Sequence, residues 1–258
     1  MSSAKKKPKP TAEDVEPSST LEKAKNAVKG WDPRNGLGEY LEKPETNPGG
    51  RIVEYDDDFV VIRDKFPKAS VHLLLIPRSP KYYDQHPLHV FSEDAAFLAD
   101  VRKRVERLQR LAASELRRQF GHASASDAPY QTALEELMSS PSPPTPEQEA
   151  ALPPGRDWSA DIVAGVHTHP SMNHLHVHIF SRDMHSEWAK KKRHYLSFNT
   201  TFLVQMHEFP LPEGSERFLP GDWPSWDMTC WRCGKNYKNK FKLLKEHLEE
   251  EFEAWKQE

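Results

Sequence analysis

The chain has 258 residues, of which 36% are hydrophobic and 29% are charged, and its formal net charge is −3. This length suffices for one large domain or for one domain with a small module. The lean apolar content indicates that part of the chain lies outside a folded core. The small net charge excludes a protein that is basic overall. The two cysteines lie too close together for a disulfide framework, the start lacks an apolar signal region, and no apolar run reaches the ~18 residues of a membrane helix, so we expect an intracellular protein.

The N-terminal region is predicted to be an unfolded tail followed by short helical pieces. Residues 1–18 include the basic, proline-spaced sequence AKKKPKP, which is typical either of a nuclear address or of a plain soluble tail. Residues 19–31 and the stretch after them favour short helices. In that second stretch, Asp32 is the predicted N-cap and Pro33 the first helical residue, where its missing N–H does no harm.

Strands and one long helix follow in chain order. Two β-branched runs around an Asp-rich turn predict a hairpin over 51–64, and the apolar run at 70–77 predicts a third strand that is buried on both faces. Apolar residues at spacings of three or four predict a helix from Ser92 to about Phe120. The Pro- and Ser-rich composition of Gly121–Gly155 predicts a flexible surface insertion away from the chemistry. Two further strands are predicted within 159–183.

The segment HTHPSMNHLHVHIF, residues 167–180, contains five histidines. Side chains alternate between the two faces of a strand, so we expect one face to carry His174, His176 and His178 and the other to be apolar. Imidazole titrates near ~6.5, so each ring can be a base, a nucleophile or a metal ligand at neutral pH. The residues alone leave three interpretations: a metal site, a phosphoryl-transfer site, and polar side chains on a solvated strand.

The pattern of HLHVHIF, in which histidines alternate with apolar residues, resembles the histidine-triad (HIT) superfamily of nucleotide hydrolases and transferases. The upstream sequence RDKFPKASVHLLLIPR has the superfamily's order of Asp, Pro and a strand that begins with His. With KKRHYLSFNT and the terminal CWRC and LKEHL segments, residues 20–120 and 160–255 are similar to the aprataxin family in its short, fungal-type form. The resemblance implies an α+β fold: a HIT domain with a mainly antiparallel sheet flanked by helices, plus a small C-terminal zinc-finger module.

Members of that family remove AMP from 5′-adenylated DNA ends left by abortive ligation, and the resemblance implies the same hydrolysis with no metal in the chemistry. His176, the middle triad member, would be the nucleophile and form a histidine–AMP intermediate. His178 would hydrogen-bond the phosphate or the attacking ring, and His174 would orient the nucleophile through its other ring nitrogen. His167 matches a fourth family histidine and would protonate the leaving group, whereas His169 is expected to be structural.

The resemblance also assigns the contacts to the nucleotide. Asp64 would bind the ribose hydroxyls, and Lys68 would lie near the phosphate and the DNA end. Ser171 and the backbone N–H of Met172 would bind the non-bridging oxygens, because donors are effective where charge develops. His72 is expected either to contact the nucleotide or to pack in the core.

The cysteine pair predicts a zinc finger. Cys230 and Cys233 are separated by two residues, and 13 more lead to His247, which is typical of a finger whose helix carries the histidine. A second histidine is missing, but Glu251 follows four residues later on the same helix face, and a carboxylate can bind zinc. Some fungal family members resemble this arrangement. Glu250 points about 100° away and is the weaker candidate, so one structural zinc with Glu251 as fourth ligand is predicted.

Positive charge is concentrated in the C-terminal part of the chain. The predicted DNA-binding residues are Lys191, Lys192, Arg193, Arg232, Lys235 and Lys242. We expect them to bind the phosphate backbone rather than to read bases, because ligation by-products occur at any sequence. Trp31 is predicted either to stack on a base at the exposed DNA end or to anchor the core.

The predicted organisation is a disordered tail (1–18), a HIT domain (19–210) with the insertion at about 121–155, and a zinc-finger DNA-binding module (211–258). The expected partner is nicked or broken DNA, including RNA–DNA junctions, and AMP is the expected product. The chain is expected to be a monomer in the nucleus, with the cytoplasm as a second location. Two alternatives stay open: a general HIT hydrolase of small adenylates or caps, and a non-catalytic zinc-dependent DNA-binding protein.

Overall fold

The computed structural model describes residues 32–47 and 49–258. The predicted tail, the helical piece at 19–31 and Trp31 lie outside the described residues. Within them, six strands form one antiparallel sheet in the order β1-β2-β3-β5-β4-β6, which confirms the expected α+β fold. The strands are β1 (Ile52–Tyr55), β2 (Phe59–Arg63), β3 (His72–Pro77), β4 (Ile162–His167), β5 (Val177–Ser181) and β6 (Leu203–Gln205).

Helices pack around this sheet. They are α1 (Pro80–Tyr83), α2 (Pro87–Glu93), α3 (Ala95–Phe120), α4 (Ala128–Met138), α5 (Pro146–Ala150), α6 (Lys192–Asn199) and α7 (Phe241–Gln257). The long helix α3 begins at Ala95 rather than at the predicted Ser92. Asp94 is its N-cap, because its carboxylate accepts the N–H of Phe97 at 3.0 Å. Ser92 instead belongs to α2.

One face of the sheet packs on α3 and forms the main core. Alternate residues of β2, β3 and β5 meet the apolar stripe of α3 there. The buried members include Val61, Leu73, Leu75, Val177, Ile179, Val101, Val105, Leu108 and Leu116. Strand β3 is buried along its whole length, as predicted. Because a one-residue slip would turn every apolar side chain of a strand to the wrong face, this core fixes which face carries the histidines.

The opposite face of the sheet carries the histidines. Near β2 and β3 it is covered by Leu37–Leu41, whose apolar side chains pack on residues such as Val60 and Ile62. This covering segment begins as predicted: Asp32 accepts the N–H of Arg34, and Pro33 opens a 3-10 helix. The local cap therefore directs the chain across the histidine face.

The structure differs from the prediction for the insertion at Gly121–Gly155. The segment contains α4 and α5, and it contacts the end of α7: the N–H groups of Ala125 and Ser126 donate to the last two carbonyls of the chain. The guanidinium of Arg156 donates to a further carbonyl near the end of α7 at 2.6 Å, and buried Asp127 accepts the N–H of Arg156 at 2.9 Å. The prolines misled the composition argument because both helices place Pro in the first turn, where the ring is tolerated.

The C-terminal module consists of a short hairpin, β7 (Met228–Thr229) and β8 (Asn236–Lys238), followed by α7. Helix α7 buries Phe252 and Trp255 in the main core. It buries Leu244 and Leu248 in a second cluster, shared with α6. The module is therefore packed firmly on the main sheet. Among the described residues, no helix combines the length and the apolar character that crossing a membrane requires.

Candidate active site and zinc centre

The histidines at 176 and 178 lie side by side on the face of the sheet opposite α3. Their ring centroids are 4.7 Å apart, and the two residues are only 6% and 5% exposed. The intervening Val177 points into the main core, as does Leu175 before it. The predicted alternation is confirmed for His176 and His178, although β5 begins at Val177 and not at the predicted His174. It presents both imidazoles to the same side because the apolar residues next to them are buried on the other.

A chain of hydrogen bonds sets the tautomer of His178. The backbone N–H of Lys68 donates to Nδ1 of His72 at 3.1 Å, so the proton of that neutral ring sits on Nε2. Nε2 of His72 lies 2.9 Å from Nδ1 of His178 and donates to it. The proton of His178 is therefore on its own Nε2. This buried N–H has no hydrogen-bond partner among the described residues, so it is available to an acceptor on a substrate.

The nucleophile candidate His176 has the opposite arrangement. Its Nδ1 lies 2.7 Å from the carbonyl oxygen of His174, and since a carbonyl can only accept, Nδ1 carries the proton. The lone pair of His176 is thus on Nε2. This agrees with the prediction that His174 orients the nucleophile through its other ring nitrogen, and the group that does so is the main-chain carbonyl of His174. The ring of His174 packs instead against Tyr83, with centroids 5.0 Å apart.

The histidine cluster, defined as His72, His167, His176 and His178, is electrically neutral at neutral pH. Burial lowers the pKa of His176 and His178 below the usual 6.5. Burial also lowers the pKa of His72 to about 4 and that of His167 to about 3, and the other histidines act in the same direction. The carboxylate of Asp64 opposes this shift at His72 and His176, but desolvation, which favours the uncharged ring, is the larger cause. Each imidazole therefore offers one lone pair and one N–H.

His167 closes the cluster at the end of β4. Its ring centroid is 4.6 Å from that of His178, and Phe198 of α6 packs against both rings, with centroids 4.7 and 5.0 Å away. Nε2 of His167 is buried and has no hydrogen-bond partner among the described residues. By contrast His169 is exposed, and its ring lies beside that of His86, with the centroids 6.4 Å apart.

Asp64 and Lys68 border the cluster on one loop. The carboxylate of Asp64 accepts the N–H of Phe66 at 2.7 Å, and its other oxygen lies 3.6 Å from Nε2 of His72. The ammonium of Lys68 donates to the carbonyl of Phe66, and burial lowers its pKa. The predicted charged residues therefore do reach the histidines. His72, for which packing and nucleotide contact were both open, packs and orients His178.

Ser171 and Met172 lie on the loop that leads into β5. Ser171 is exposed, whereas the methyl group of Met172 packs near Gly36. Asn173 ties the loop to the covering segment, since its side chain donates to Asn35 at 2.7 Å and its N–H donates to the carbonyl of Arg34 at 2.9 Å. The cover thus fixes the loop that precedes the triad.

Asp183 is a buried residue that the sequence did not single out. Its carboxylate accepts the N–H and hydroxyl of Ser70 at 3.0 and 3.1 Å, the hydroxyl of Ser181, and the N–H of His185 at 2.8 Å. Burial raises its pKa, and these donors oppose that shift. Asp183 therefore anchors the end of the loop that bears Lys68. Nothing in the SRD sequence distinguishes a buried Asp from a solvated one.

The four predicted zinc ligands meet at the start of α7. One ligand atom each from Cys230, Cys233, His247 and Glu251 lie within 4.8 Å of one another. Nε2 of His247 is 3.1 Å from the sulfur of Cys233 and 3.1 Å from Oε1 of Glu251. Glu250 is 84% exposed and its oxygen lies 4.0 Å from the other ring nitrogen. Two thiolates, an imidazole and a carboxylate fit a tetrahedral zinc ion, so Glu251 rather than Glu250 completes the set.

Comparisons with known proteins agree with both sites. The HIT domain family matches residues 47–185, and the family described as "C2HE / C2H2 / C2HC zinc-binding finger" matches residues 199–254. An aprataxin-like protein of Saccharomyces cerevisiae is 32% identical over 226 residues, covering 86% of this chain and 96% of that protein. The chain belongs to the aprataxin family of histidine-triad proteins. An aprataxin-like protein of Schizosaccharomyces pombe is 31% identical, covering 86% of this chain and 82% of that protein.

Solved structures of the aprataxin family share the fold. The crystal structure of the aprataxin ortholog Hnt3 in complex with DNA superposes with a TM-score of 0.66 at 30% identity, covering 86% of this chain and 96% of that chain. Hnt3 from Schizosaccharomyces pombe gives a TM-score of 0.65 at 30% identity, with coverages of 85% and 92%. The HIT domain, its antiparallel sheet and the zinc finger of this chain are therefore those of an aprataxin.

The basic residues predicted to bind DNA have different surroundings in this aprataxin fold. Lys191 and Lys192 lie at the start of α6, where the ammonium of Lys192 donates to Asn239. The guanidinium of Arg193 lies over the ring of Trp223, 5.9 Å from its centroid. Lys235 and Lys242 are exposed on the finger. Together these residues place positive charge on α6 and on the finger.

Arg232 differs from these residues. Its guanidinium donates to Glu251 at 2.5 Å and to Glu258, so its donors face carboxylates of the same chain. The prediction that Arg232 contacts DNA does not fit this geometry, because the charge pattern of the finger cannot show which cations are already paired. Trp31 lies outside the described residues, and its role stays a prediction.

Proposed function

We propose that this protein is a DNA 5′-adenylate hydrolase, which removes AMP from 5′-adenylated DNA or RNA–DNA ends left by abortive ligation. The observation that carries the proposal is the pair of fixed tautomers: His176 offers a lone pair at Nε2, and next to it His178 offers an N–H. A nucleophile beside a donor, both neutral and buried, suits attack on a phosphorus whose oxygens become more negative in the transition state.

The proposed first step is an in-line attack of His176 Nε2 on the phosphorus of the adenylate. The N–P bond forms as the P–O bond to the 5′-phosphate of the DNA breaks, and the DNA leaves as a phosphate. The positive charge on the ring is stabilised because Nδ1–H donates to the carbonyl of His174 at 2.7 Å. Water then attacks the same phosphorus and the N–P bond breaks. AMP keeps the hydroxyl of the water, its other proton passes to solvent, and neutral His176 is regenerated.

The neighbours of His176 stabilise charge on the adenylate in this proposal. His178 donates its Nε2–H to a non-bridging oxygen, and Ser171 with the N–H of Met172 serves the others. Lys68 supplies positive charge near the phosphate, and Asp64 accepts from the ribose hydroxyls, as its two oxygens suit a vicinal diol. We propose no catalytic metal, because Nε2 of His72 and Nδ1 of His178, the ring nitrogens that face each other, are already paired with one another at 2.9 Å.

His167 takes a different role from the predicted leaving-group acid. Burial lowers its pKa to about 3, so at neutral pH the ring is uncharged and its one N–H serves as a hydrogen-bond donor rather than as an acid. The departing group is a DNA phosphate with a second pKa of about 6, which leaves readily without protonation. We therefore propose that His167 acts as a neutral hydrogen-bonding group beside His178.

DNA binding is supported by exposed Lys191 and Arg193 at the start of α6, by the exposed lysines of the finger, and by the likeness to Hnt3, which has been solved with DNA. The zinc ligands hold the finger helix in place, and zinc would supply folding energy there rather than chemistry. We further propose that the chain acts as a monomer, in the nucleus, as its basic start suggests.

A product assay tests the proposed function. The protein is incubated with a nicked duplex carrying a 5′-adenylate, and in parallel with AMP-lysine and with a dinucleoside polyphosphate. Much faster release of AMP from the nicked DNA than from either small substrate is the expected result. Preference for a small substrate would favour a general HIT hydrolase, and turnover of none, with DNA binding intact, would favour a non-catalytic DNA-binding protein.

A further inference from the structure

The arginine between the two zinc-binding cysteines makes contacts that point to a role at the zinc site. Its side chain crosses from the turn that carries Cys230 and Cys233 to helix α7. One guanidinium nitrogen donates to Oε2 of Glu251 at 2.5 Å. The other oxygen of that carboxylate, Oε1, lies 3.1 Å from Nε2 of His247 and so faces the ligand cluster. The two oxygens of Glu251 are therefore divided between Arg232 and the metal position.

Charge balance gives this division a physical reason. Two thiolates and one carboxylate carry three negative charges, against two positive charges on a zinc ion. A finger with a second histidine in place of Glu251 would be neutral instead. The Glu251 side chain is only 12% exposed and that of Arg232 27%, so water screens the excess charge poorly and a fixed cation is effective.

We propose that Arg232 is a positioning residue for zinc: it holds Glu251 with a single oxygen towards the metal and neutralises the extra negative charge of a carboxylate-containing site. Its second nitrogen pairs with Glu258, which holds the guanidinium in the orientation that reaches Glu251. The arginine and the carboxylate ligand form one unit. In a finger without the carboxylate ligand, the arginine should contribute little to zinc binding.

A double-mutant comparison of zinc affinity tests this proposal. The affinity is measured by competition with a chelator on the full chain, without DNA or substrate, so the result is independent of the proposed function. Groups that orient metal ligands typically change affinity by about 10–100-fold when removed. We expect Arg232→Met to weaken zinc binding by that amount in the native protein. In a Glu251→His background, the same substitution should change the affinity less than about threefold.

Matched variants separate positioning from general effects of charge and folding. Lys240→Gln removes one positive charge from an exposed side chain at the N-cap of α7, and it should leave the affinity nearly unchanged. Arg232→Lys keeps the positive charge but loses the planar guanidinium that donates to two carboxylates at once. Its zinc affinity should therefore lie between that of the native protein and that of Arg232→Met. Circular dichroism of the zinc-loaded variants checks that each is folded.

Three outcomes overturn the proposal. The first is an unchanged zinc affinity in Arg232→Met. The second is an equal loss in the native and the Glu251→His backgrounds, which would make Arg232 a general prop of the finger. The third applies if Glu251→His fails to fold: Glu251→Gln then serves as the background, and an equal loss on adding Arg232→Met there would again make Arg232 a general prop of the finger.

Discussion

The histidine cluster and the zinc centre use the same side chain in opposite electrical settings. At the cluster, the rings are buried, neutral and oriented by main-chain groups, the carbonyl of His174 and the N–H of Lys68. At the zinc centre, the ring of His247 lies among thiolates and a carboxylate, with an arginine beside them. The comparison shows that the partners of an imidazole decide its chemistry: a neutral ring whose N–H is held by a carbonyl is suited to attack phosphorus, and one surrounded by anions is suited to bind a cation.

The largest expected effect comes from removing the nucleophilic lone pair of the cluster. His176→Ala should lower AMP release from a 5′-adenylated nick by more than about 1000-fold, because both the attack and the covalent intermediate are lost. The rate is measured under single-turnover conditions. The control is His169→Ala, which removes an exposed ring nearby and should stay within about twofold of the native rate. Full activity in His176→Ala would remove the nucleophile assignment.

Loss of zinc should impair DNA binding by the finger and leave catalysis at the histidine cluster largely unchanged. Chelation, or Cys233→Ser, should weaken binding to nicked DNA by about 10-fold or more, since structural zinc supplies on the order of 10 kcal/mol of local folding energy. Turnover of AMP-lysine should change less than about threefold, because the cluster is built on the main sheet core. Both quantities are measured on the same preparation. Equal losses of DNA binding and of AMP-lysine turnover would mean that the finger stabilises the whole fold and does not act specifically in DNA binding.

Charge on α6 should matter for DNA and not for chemistry. The triple variant Lys191→Gln, Lys192→Gln, Arg193→Gln should weaken DNA binding at all sequences and reduce the slope of log affinity against log salt by about 2, as expected for lost phosphate contacts. Fluorescence anisotropy over a salt series measures this slope. Lys103→Gln, an exposed change on α3 behind the sheet, should leave it unaltered. If the triple variant keeps the native slope, the DNA must bind to another surface of the protein.

A smaller effect is expected from crowding the first triad histidine. A methyl group at Gly38 would lie 3.2 Å from Cε1 of His174, so the ring must move by a few tenths of an ångström. The carbonyl of the same residue holds Nδ1 of His176 at 2.7 Å, and about 1 Å of misplacement of a reacting group can cost 100-fold. If moving the ring shifts this carbonyl, Gly38→Ala should lower kcat by roughly 3–10-fold with little change in melting temperature. A native kcat would show that the position of the His174 ring is unimportant.

The pH dependence should separate a neutral cluster from a charged one. Protonation of His176 removes its lone pair, and burial lowers its pKa below 6.5. The acid limb of kcat/KM should therefore lie below pH 6.5, with a flat profile from there to neutral pH. The folded rings also bind fewer protons than the unfolded chain between pH 6.5 and the lowered values, so stability falls as the pH falls through that window. Circular dichroism over the same range distinguishes loss of activity from unfolding.

The sequence predicted those features that follow from spacing along one element. Alternation on a strand placed His176 and His178 on one face, and the four-residue step on a helix selected Glu251 over Glu250. The sequence could not reveal contacts between distant segments. The hydrogen bond from His72 to His178 spans 106 residues, and the pairing of Arg232 depends on where α7 ends. The helices of the insertion escaped detection because prolines in a first turn look the same as prolines in a loop.

The stereochemical course at the adenylate phosphorus tests the central claim most directly. A nicked duplex carrying a phosphorothioate adenylate of one known configuration is hydrolysed in isotopically labelled water, and the configuration of the released nucleotide is determined. Attack by His176 followed by attack of water inverts the phosphorus twice, so the account predicts net retention. Net inversion would mean that water attacks the adenylate in a single step and would contradict the histidine–AMP intermediate.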